Sequence, residues 1–481
     1  MNFVEDVLES FPAARAALVA IDAGGERHVW GFGELIARSA GLAGALTERG
    51  VERGDVVMTL IGNRPEWVLS MLACFRIGAV ALPCNTQLRS GDLAYRVEVA
   101  EPRLAIGEEA LLDLLPPGIP ALGLDELEAV LDEERAQASP AEPADLDPAD
   151  PALIVFTSGT TGEARAAVHP QRYLAGQRLQ ARHWFGARRG ELAWCTAATG
   201  WSKSARNSFI APWLCGATAL LHEGRFEPAE RLEVCEREGV NVLCQAPTEY
   251  RMLAKRTELR RLPALRRLVS AGEPLNPEVI RAFREGMGLE IHDGYGQTET
   301  GALTGALADA EVREGSMGKP LPGIDLRITE GELWLRPGSC PTFFSHYVGS
   351  EPYAEEWWRT GDMVSRDDDG YLWFDGRADD VIVSSGYRIG PFEVESALLS
   401  HPAVAEAAAV AALDAERGSV VRALVVLRSG EPGEALAREL QEHVKRETAP
   451  YKYPRIVDFV AELPKTTSGK IKRADLRRAT S

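Results

Sequence analysis

One stretch constrains this chain more than any other. Residues 152–156, Ala-Leu-Ile-Val-Phe, form a short apolar run with β-branched members, the pattern of a buried strand. The run passes directly into Thr157, Ser158, Gly159, Thr160, Thr161 and Gly162, which are all small or hydroxylic. Two glycines let the backbone turn tightly and approach a ligand closely. Four hydroxyls and several free N–H groups can then surround phosphate oxygens. Arg165, three residues on, can add fixed positive charge. The same composition also suits a surface turn. A Walker A loop, G-x-x-x-x-G-K-[ST], occurs nowhere in the chain, so other segments must decide what this one binds.

At 481 residues the chain exceeds one ordinary core and implies several domains or subdomains. A net charge of −18 argues against generic nucleic-acid or membrane-surface binding, so a polyanionic ligand needs a local basic site. One exists. Between Lys445 and Arg478 there are ten basic and four acidic residues, a local balance of +6. Most of these read as a solvated basic face. The seven cysteines are scattered, with no CxxC pair, which fits a reducing cytoplasm better than disulfides or zinc. The histidines show no HxxxH or HExxH spacing for a transition metal. The acidic start, MNFVEDVLES, is not a signal peptide, and Arg76 interrupts the most apolar span, residues 67–83, so no membrane span is expected.

Residues 32–49 carry helical apolar spacing and end at Gly50. Residues 56–61 and 79–82 read as strands on either side of a helix over 65–77, a crossover unit that predicts a parallel sheet. Residues 132–151, acidic and rich in Pro and Ala, read as an exposed linker. Residues 172–185 read as helix, 191–196 as strand, 213–221 as a further strand region and 228–238 as an amphipathic helix. Residues 240–244, 268–270 and 289–292 can lie side by side in one sheet. From about residue 323 to 376 shorter alternating strands predict a small β-rich part, and a break follows near residues 375–380.

Further segments combine glycine, hydroxyl, acid and base beyond what a core requires. They are Ser270-Ala271-Gly272-Glu273-Pro274; Asp293 through Gly294, Tyr295, Gly296, Gln297, Thr298 and Glu299 to Thr300; Trp358-Arg359-Thr360-Gly361-Asp362; Gly376 and Arg377 through Asp380, with Gly386-Tyr387-Arg388 beyond; and Pro464-Lys465-Thr466-Thr467-Ser468-Gly469-Lys470. With TSGTTG, in this order, they resemble the AMP-forming acyl-CoA synthetases of the adenylate-forming superfamily, which also holds peptide-synthetase adenylation domains and beetle luciferases. Residues 199–204, Thr-Gly-Trp-Ser-Lys-Ser, with Trp-Leu-Cys-Gly-Ala-Thr at 213–218, most resemble the acetyl/medium-chain branch.

The resemblance implies an α/β fold. A large N-terminal domain, residues 1–376, would hold parallel-sheet α/β subdomains and the small β-rich part. A small mobile α+β C-terminal domain, residues 377–481, would turn about a hinge at Asp379. It implies a ligase in which a carboxylate attacks the α-phosphate of MgATP, giving acyl-adenylate and pyrophosphate, and the thiol of coenzyme A then displaces AMP. Catalysis would be positioning and charge stabilisation.

On that resemblance Thr157 through Gly162 would cradle the β- and γ-phosphates. Ala164 and Arg165 stand where the family usually has proline and lysine, and Arg165 keeps the charge with altered geometry. Glu299, helped by Thr298, would hold Mg²⁺. Tyr295 would stack on adenine, with Gly272, Glu273, Pro274 and Asp293 lining the base pocket beside Gly294, Gly296 and Gln297. Asp362 and Arg377 would hold the ribose, the carboxylate accepting from the diol. Lys470 would reach the α-phosphate and substrate carboxylate, and its setting resembles segments where lysine acetylation silences bacterial relatives. Gly386 would line the pantetheine channel, where its alternative is a simple turn glycine. Tyr387 joins it in the CoA-binding set, and Arg388 contacts phosphates or gates that channel.

The acyl group would meet Trp201, Ser204, Thr248 and Gly301. Trp201 reads either as the pocket end or as core packing, and Lys203 either pairs with an acidic substrate tail or points to solvent. The implied substrate is a short- to medium-chain fatty or compact aryl acid, with ATP and coenzyme A, in the cytoplasm. A free-standing adenylation enzyme that loads a carrier protein is the alternative. No clear aspartate within residues 201–209 or 245–248 supplies the amino-group anchor of the peptide-synthetase version.

Overall fold

The computed structural model describes residues 1–132, 139–157, 164–308, 310–384, 387–414, 417–465 and 471–478. The crossover predicted around residues 56–82 is present. Helix Pro65–Ile77 starts on a proline, where the missing N–H costs nothing, and stops at Gly78 with φ 77°. It connects strand Val56–Leu60 to strand Val80–Pro83, which pair in parallel. These belong to a seven-stranded sheet ordered His346–Tyr347, Ala166–Pro170, Pro151–Phe156, Val80–Pro83, Val56–Leu60, Leu104–Gly107 and Ala121–Gly123. Strand Pro151–Phe156 runs parallel to Val80–Pro83, and its other neighbour, Ala166–Pro170, returns antiparallel. Thr157 and Arg165 therefore stand at the facing ends of two antiparallel arms. Thr157 N–H donates to the Arg165 carbonyl at 2.8 Å.

A nine-stranded sheet runs Lys319–Pro320, Gly301–Gly305, Ile291–Gln297, Arg267–Ala271, Val242–Gln245, Leu192–Cys195, Thr218–His222, Ala16–Ile21 and Arg27–Gly31. The pairs from Ile291–Gln297 through to Ala16–Ile21 are parallel, and the short apolar runs at 240–244, 268–270 and 289–292 lie in this sheet as expected. The two sheets share one core in which Trp67, Trp184, Trp213, Tyr173 and Phe209 are fully buried. Trp67 and Phe209 meet edge to face at 5.4 Å, a favourable aromatic geometry. Leu326–Thr329, Glu332–Leu335, Trp358–Arg366 and Leu372–Arg377 form an antiparallel four-stranded sheet. Beyond it come the hairpin Ile382–Ser384 with Tyr387–Ile389, the sheet of Val404–Asp414, Gly418–Leu427 and Ile456–Phe459, and helices Pro391–Leu399, Glu434–Glu447 and Arg473–Arg478. These last elements bury their own core around Val394, Leu398, Val421, Leu440 and Val444.

Two expectations are corrected. The acidic stretch is largely exposed over its described part, as expected, but it is not a free linker. Residues 139–150 are strapped across the first helices: Arg76 Nε donates to the Ala141 carbonyl at 2.6 Å, Ala141 N–H donates to the Ala40 carbonyl, and Asn2 Nδ2 donates to the Ala144 carbonyl. Nor does it mark a boundary, because Pro151–Phe156 re-enters the same sheet. Within 213–221, Trp213 and Leu214 end helix Ala211–Leu214, and the strand is Thr218–His222. A short apolar run cannot tell a buried helix end from a strand.

His169, on the strand Ala166–Pro170, is fully buried, and its ring lies 4.2 Å from that of Tyr173. Burial, reinforced by the nearby charges of Arg206 and Arg172, lowers its pKa to about 3. The unfolded chain takes up this proton near 6.5, so it binds more protons than the folded state between those values, and stability falls as pH drops through that window. The slope is about 1.4 kcal/mol per pH unit. Replacing His169 with Phe is expected to reduce the fall in Tm between pH 6.5 and 4.5. Equal falls in the two proteins would reject this account.

Candidate active site

The parallel strands of the nine-stranded sheet end at a cleft of about 2960 Å³. Carboxyl ends of parallel strands are where α/β sheets bind ligands, and this volume exceeds the ~300–1,000 Å³ of a single small-molecule pocket. It is lined from three sides. Thr196 to Lys203, Thr248, Ala271 to Pro274 and Asp293 to Glu299 follow the strands. Thr157 and Arg165 come from the seven-stranded sheet, and Asp362 and Arg377 from the four-stranded one. Glu395, Lys465, Lys472 and Arg473 close it from the C-terminal elements.

Asp362 is the most constrained group. It is 3% exposed, and its Oδ2 accepts the Tyr295 hydroxyl at 2.5 Å and Gln297 Nε2 at 2.7 Å. Arg377 Nη1 donates to Oδ1 at 3.0 Å. Burial raises the carboxyl pKa, and the Arg377 guanidinium opposes that shift. Most of its acceptor capacity is therefore spent within the protein. Tyr295, which its flanking glycines suggest is presented rather than packed, is half-buried between two cores and tied to Asp362 by its hydroxyl. The glycines serve packing. A Cβ on Gly294 would lie 2.5 Å from the Trp184 indole, and one on Gly296 would lie 1.8 Å from the Gly301 carbonyl oxygen.

Glu299 accepts the Tyr347 hydroxyl on Oε1 at 2.5 Å. Burial and the Glu299 charge raise the Tyr347 pKa, so the phenol keeps its proton and donates. The Arg165 guanidinium lies over the same ring, 3.4 Å from its centroid. Tyr347 thus joins the arm that carries Arg165 to the carboxylate of Glu299. Nothing in the sequence flagged it, because the contact spans 48 residues; its aromatic setting, Phe343-Phe344-Ser345-His346-Tyr347, was the only available cue.

Asp293 is buried with Oδ1 unpartnered among the described residues; burial pushes its carboxyl well up, against the opposing charge of Lys203. Lys203 does not simply point to solvent: it borders the cleft, and Nζ donates to the Ala271 carbonyl at 3.0 Å, beside Gly272. Thr248 Oγ1 donates to Glu273 Oε2 at 2.7 Å, and Arg251 Nη2 donates to both. Trp201 is half-buried and borders the cleft.

Thr298 and Pro274 also face the cleft, whereas Ser204 and Gly301 of the expected acyl pocket do not. Ser204 is buried and its hydroxyl donates to the Trp201 carbonyl at 2.7 Å. Gly301 lies beneath the wall, where a Cβ would approach Thr342 Oγ1 to 2.8 Å. Tyr387 is 54% exposed and stacks on Tyr451 at 4.4 Å, and Arg388 sits beside it on the same hairpin strand. Asp379 stands 3.8 Å from Arg377 Nε, outside the cleft lining. Ser158, Gly159, Thr160, Thr161, Gly162, Gly386 and Lys470 lie outside the described residues.

Residues 4–338 match the profile of the AMP-binding enzyme family, and residues 393–470 match the AMP-binding enzyme C-terminal domain. The chain belongs to the AMP-binding enzyme family. Among family members it is 39% identical to the uncharacterized acyl-CoA ligase YtcI of Bacillus subtilis (strain 168), over 99% of this chain and 96% of that protein. It is also 39% identical to the mitochondrial acyl-coenzyme A synthetase ACSM3 of Mus musculus, over 99% of this chain and 90% of that one. The crystal structure of Brucella canis acyl-CoA synthetase superposes with a TM-score of 0.74 at 35% identity, covering 100% of this chain and 94% of that one. The α/β architecture with its smaller C-terminal unit is the family's.

Replacing Asp362 with Ala strands two neutral donors and a guanidinium around a buried site. This is expected to cost about 3–5 kcal/mol, measured as a loss in urea-unfolding free energy. A loss below about 1 kcal/mol would contradict the described network.

Proposed function

We propose that the protein is an AMP-forming acid:CoA ligase that converts a compact carboxylic acid, short- to medium-chain or aryl, into its coenzyme A thioester through an acyl-adenylate. The observation that carries this reading is the convergence of Asp362, Arg377, Tyr295, Glu299 and Arg165 on one cleft that the basic C-terminal segment also borders. No nucleophile or general base is required of the protein, because the substrate carboxylate attacks and pyrophosphate leaves. The protein supplies orientation and charge.

In this reading the ring of Tyr295 faces adenine while its hydroxyl fixes Asp362. Asp362 keeps one acceptor position for a ribose hydroxyl, and Arg377 braces it. Asp293 and the backbone of Gly272, Glu273 and Pro274 line the base. Thr157 to Gly162 and Arg165 steady the departing pyrophosphate. Glu299 and Thr298 fit Mg²⁺: one free carboxylate oxygen and a hydroxyl at a phosphate site suit an ion that keeps its waters, and the described residues hold no denser cluster of metal ligands. When bound, the ion would neutralise charge on the phosphates. Lys465 and Ile471, which flank the Lys470 segment, border the cleft, which supports Lys470 as the group that meets the α-phosphate. Movement about Asp379 would then exchange Lys470 for Gly386, Tyr387 and Arg388 in the thiol step. The seven cysteines, none in a disulfide, support a reducing cytoplasm. Among the described residues no helix is long and apolar enough to cross a membrane.

The test is acid-dependent pyrophosphate release, followed by AMP and thioester formation on adding coenzyme A. Pyrophosphate without thioester would move the acceptor to a carrier protein, and no pyrophosphate from a broad acid panel would end the proposal. The Lys470→Ala variant is expected to lose adenylation yet form thioester from supplied acyl-adenylate; equal loss of both steps would count against its role. Tyr347→Phe is expected to slow adenylation about tenfold, most strongly at low Mg²⁺, since it removes the donor that orients Glu299. A loss that does not change across a Mg²⁺ titration would separate Tyr347 from the metal site.

A further inference from the structure

Among the described residues four arginines are buried. Arg76 donates to the Ala141 carbonyl and to Glu9. Arg231 pairs with Glu249 and lies over the Trp194 ring. Arg267 donates to the carbonyls of Trp184, Phe185 and Ala306. Arg206 is the exception. It is 6% exposed and borders the cleft, yet its Nε and Nη1 have no hydrogen-bond partner among the described residues. No described carboxylate lies within 4 Å of it as an ion pair.

Its position explains how it reaches both the cleft and the interior. Arg206 opens the π-helical turn Arg206–Ile210, directly after the short helix Lys203–Ala205 and five residues past Trp201. Its Nη1 lies 3.5 Å from where a Cβ on Gly301 would stand, so it occupies space that a larger residue there would contest. Behind it lie the Tyr173 hydroxyl and the His169 ring, both polar and both uncharged, so neither supplies a negative charge to the guanidinium. Lys203, the other basic group on this wall, is engaged with the Ala271 carbonyl. A buried guanidinium left uncompensated is strongly unfavourable, and a planar carboxylate is the group its fork of donors fits best.

We propose that Arg206 is a substrate-binding residue that receives a second, distal carboxylate, so that the acid activated here is a short dicarboxylic acid. This rests on the acid:CoA ligase reading and narrows its substrate class. One carboxylate of the substrate faces the nucleotide and reacts. The other passes Trp201 and pairs with Arg206, both of which border the cleft.

The experiment measures kcat/KM for pyrophosphate release, and for thioester formation with coenzyme A, on matched acids: glutarate, its monomethyl ester and pentanoate, then adipate and hexanoate. The unmodified enzyme is expected to favour the better diacid over its equal-length monoacid by about 100-fold or more, and over the monomethyl ester likewise. In Arg206→Met the preference should reverse, with pentanoate or hexanoate gaining and the KM for ATP unmoved, while Arg206→Lys should retain part of it. A native enzyme that prefers the monoacid or the ester overturns the proposal, as does a diacid preference that survives in Arg206→Met. Turnover of monocarboxylic or aryl acids alone also overturns it while leaving the ligase reading intact. No turnover of any acid removes both. The comparison of diacid, ester and monoacid on the native enzyme holds even if the variants fail to fold.

Discussion

A carboxylate taken almost wholly out of water must be surrounded by donors, and Asp362 obtains them from two different sheets. Tyr295 and Gln297 approach from the end of a parallel strand, while Arg377 approaches from the adjacent antiparallel strand of Asp362's own sheet. Each charge-assisted bond is worth roughly 1.5–3 kcal/mol, and each donor left alone at a buried position costs a similar amount. Neither sheet can shift without disturbing the other. The placement of the four-stranded sheet over the cleft is thus an electrostatic matter as much as a packing one, and the nucleotide-facing groups inherit that rigidity.

The strand Ile291–Gln297 shows how backbone periodicity serves this node. Side chains alternate along a strand, so Asp293, Tyr295 and Gln297 share the side that looks into the cleft. The positions between them must accommodate what lies behind. There Trp184 presses against Gly294 and Gly305, and the backbone at Gly301 crosses against Gly296. Larger residues would push the strand outward and separate Tyr295 from Asp362. The glycines keep the donors in place by admitting a tryptophan.

Much of this was legible in the sequence. The helix over 65–77, the parallel strands around it and the buried run before Thr157 follow from local patterning, since proline, glycine and β-branched residues act within a few positions. The ordered motifs carried the family and gathered the cleft-lining residues around Asp362 and Glu299. What escaped depends on contacts distant in sequence. Residues 139–150 look like a linker by composition, yet Arg76 and Asn2 hold them down. Tyr347 is one aromatic among several until Glu299 is placed beside it. Ser204 and Lys203 carry suitable chemistry, but backbone carbonyls claim them, and no spacing rule reveals which side of a wall a side chain faces. Arg206 reads as an ordinary charged residue until the company it keeps is known.

The two-residue strand His346–Tyr347 does more than carry a phenol. It terminates the seven-stranded sheet, pairing antiparallel with Ala166–Pro170 and leaving almost no open backbone for another chain to extend. The opposite margin, Ala121–Gly123, is also short and ends in glycine. The residue that braces Glu299 is therefore part of the device that keeps a broad sheet from self-association. Drift at this position would be filtered twice, once by turnover and once by solubility, and a change that spares the chemistry can still be lost to aggregation.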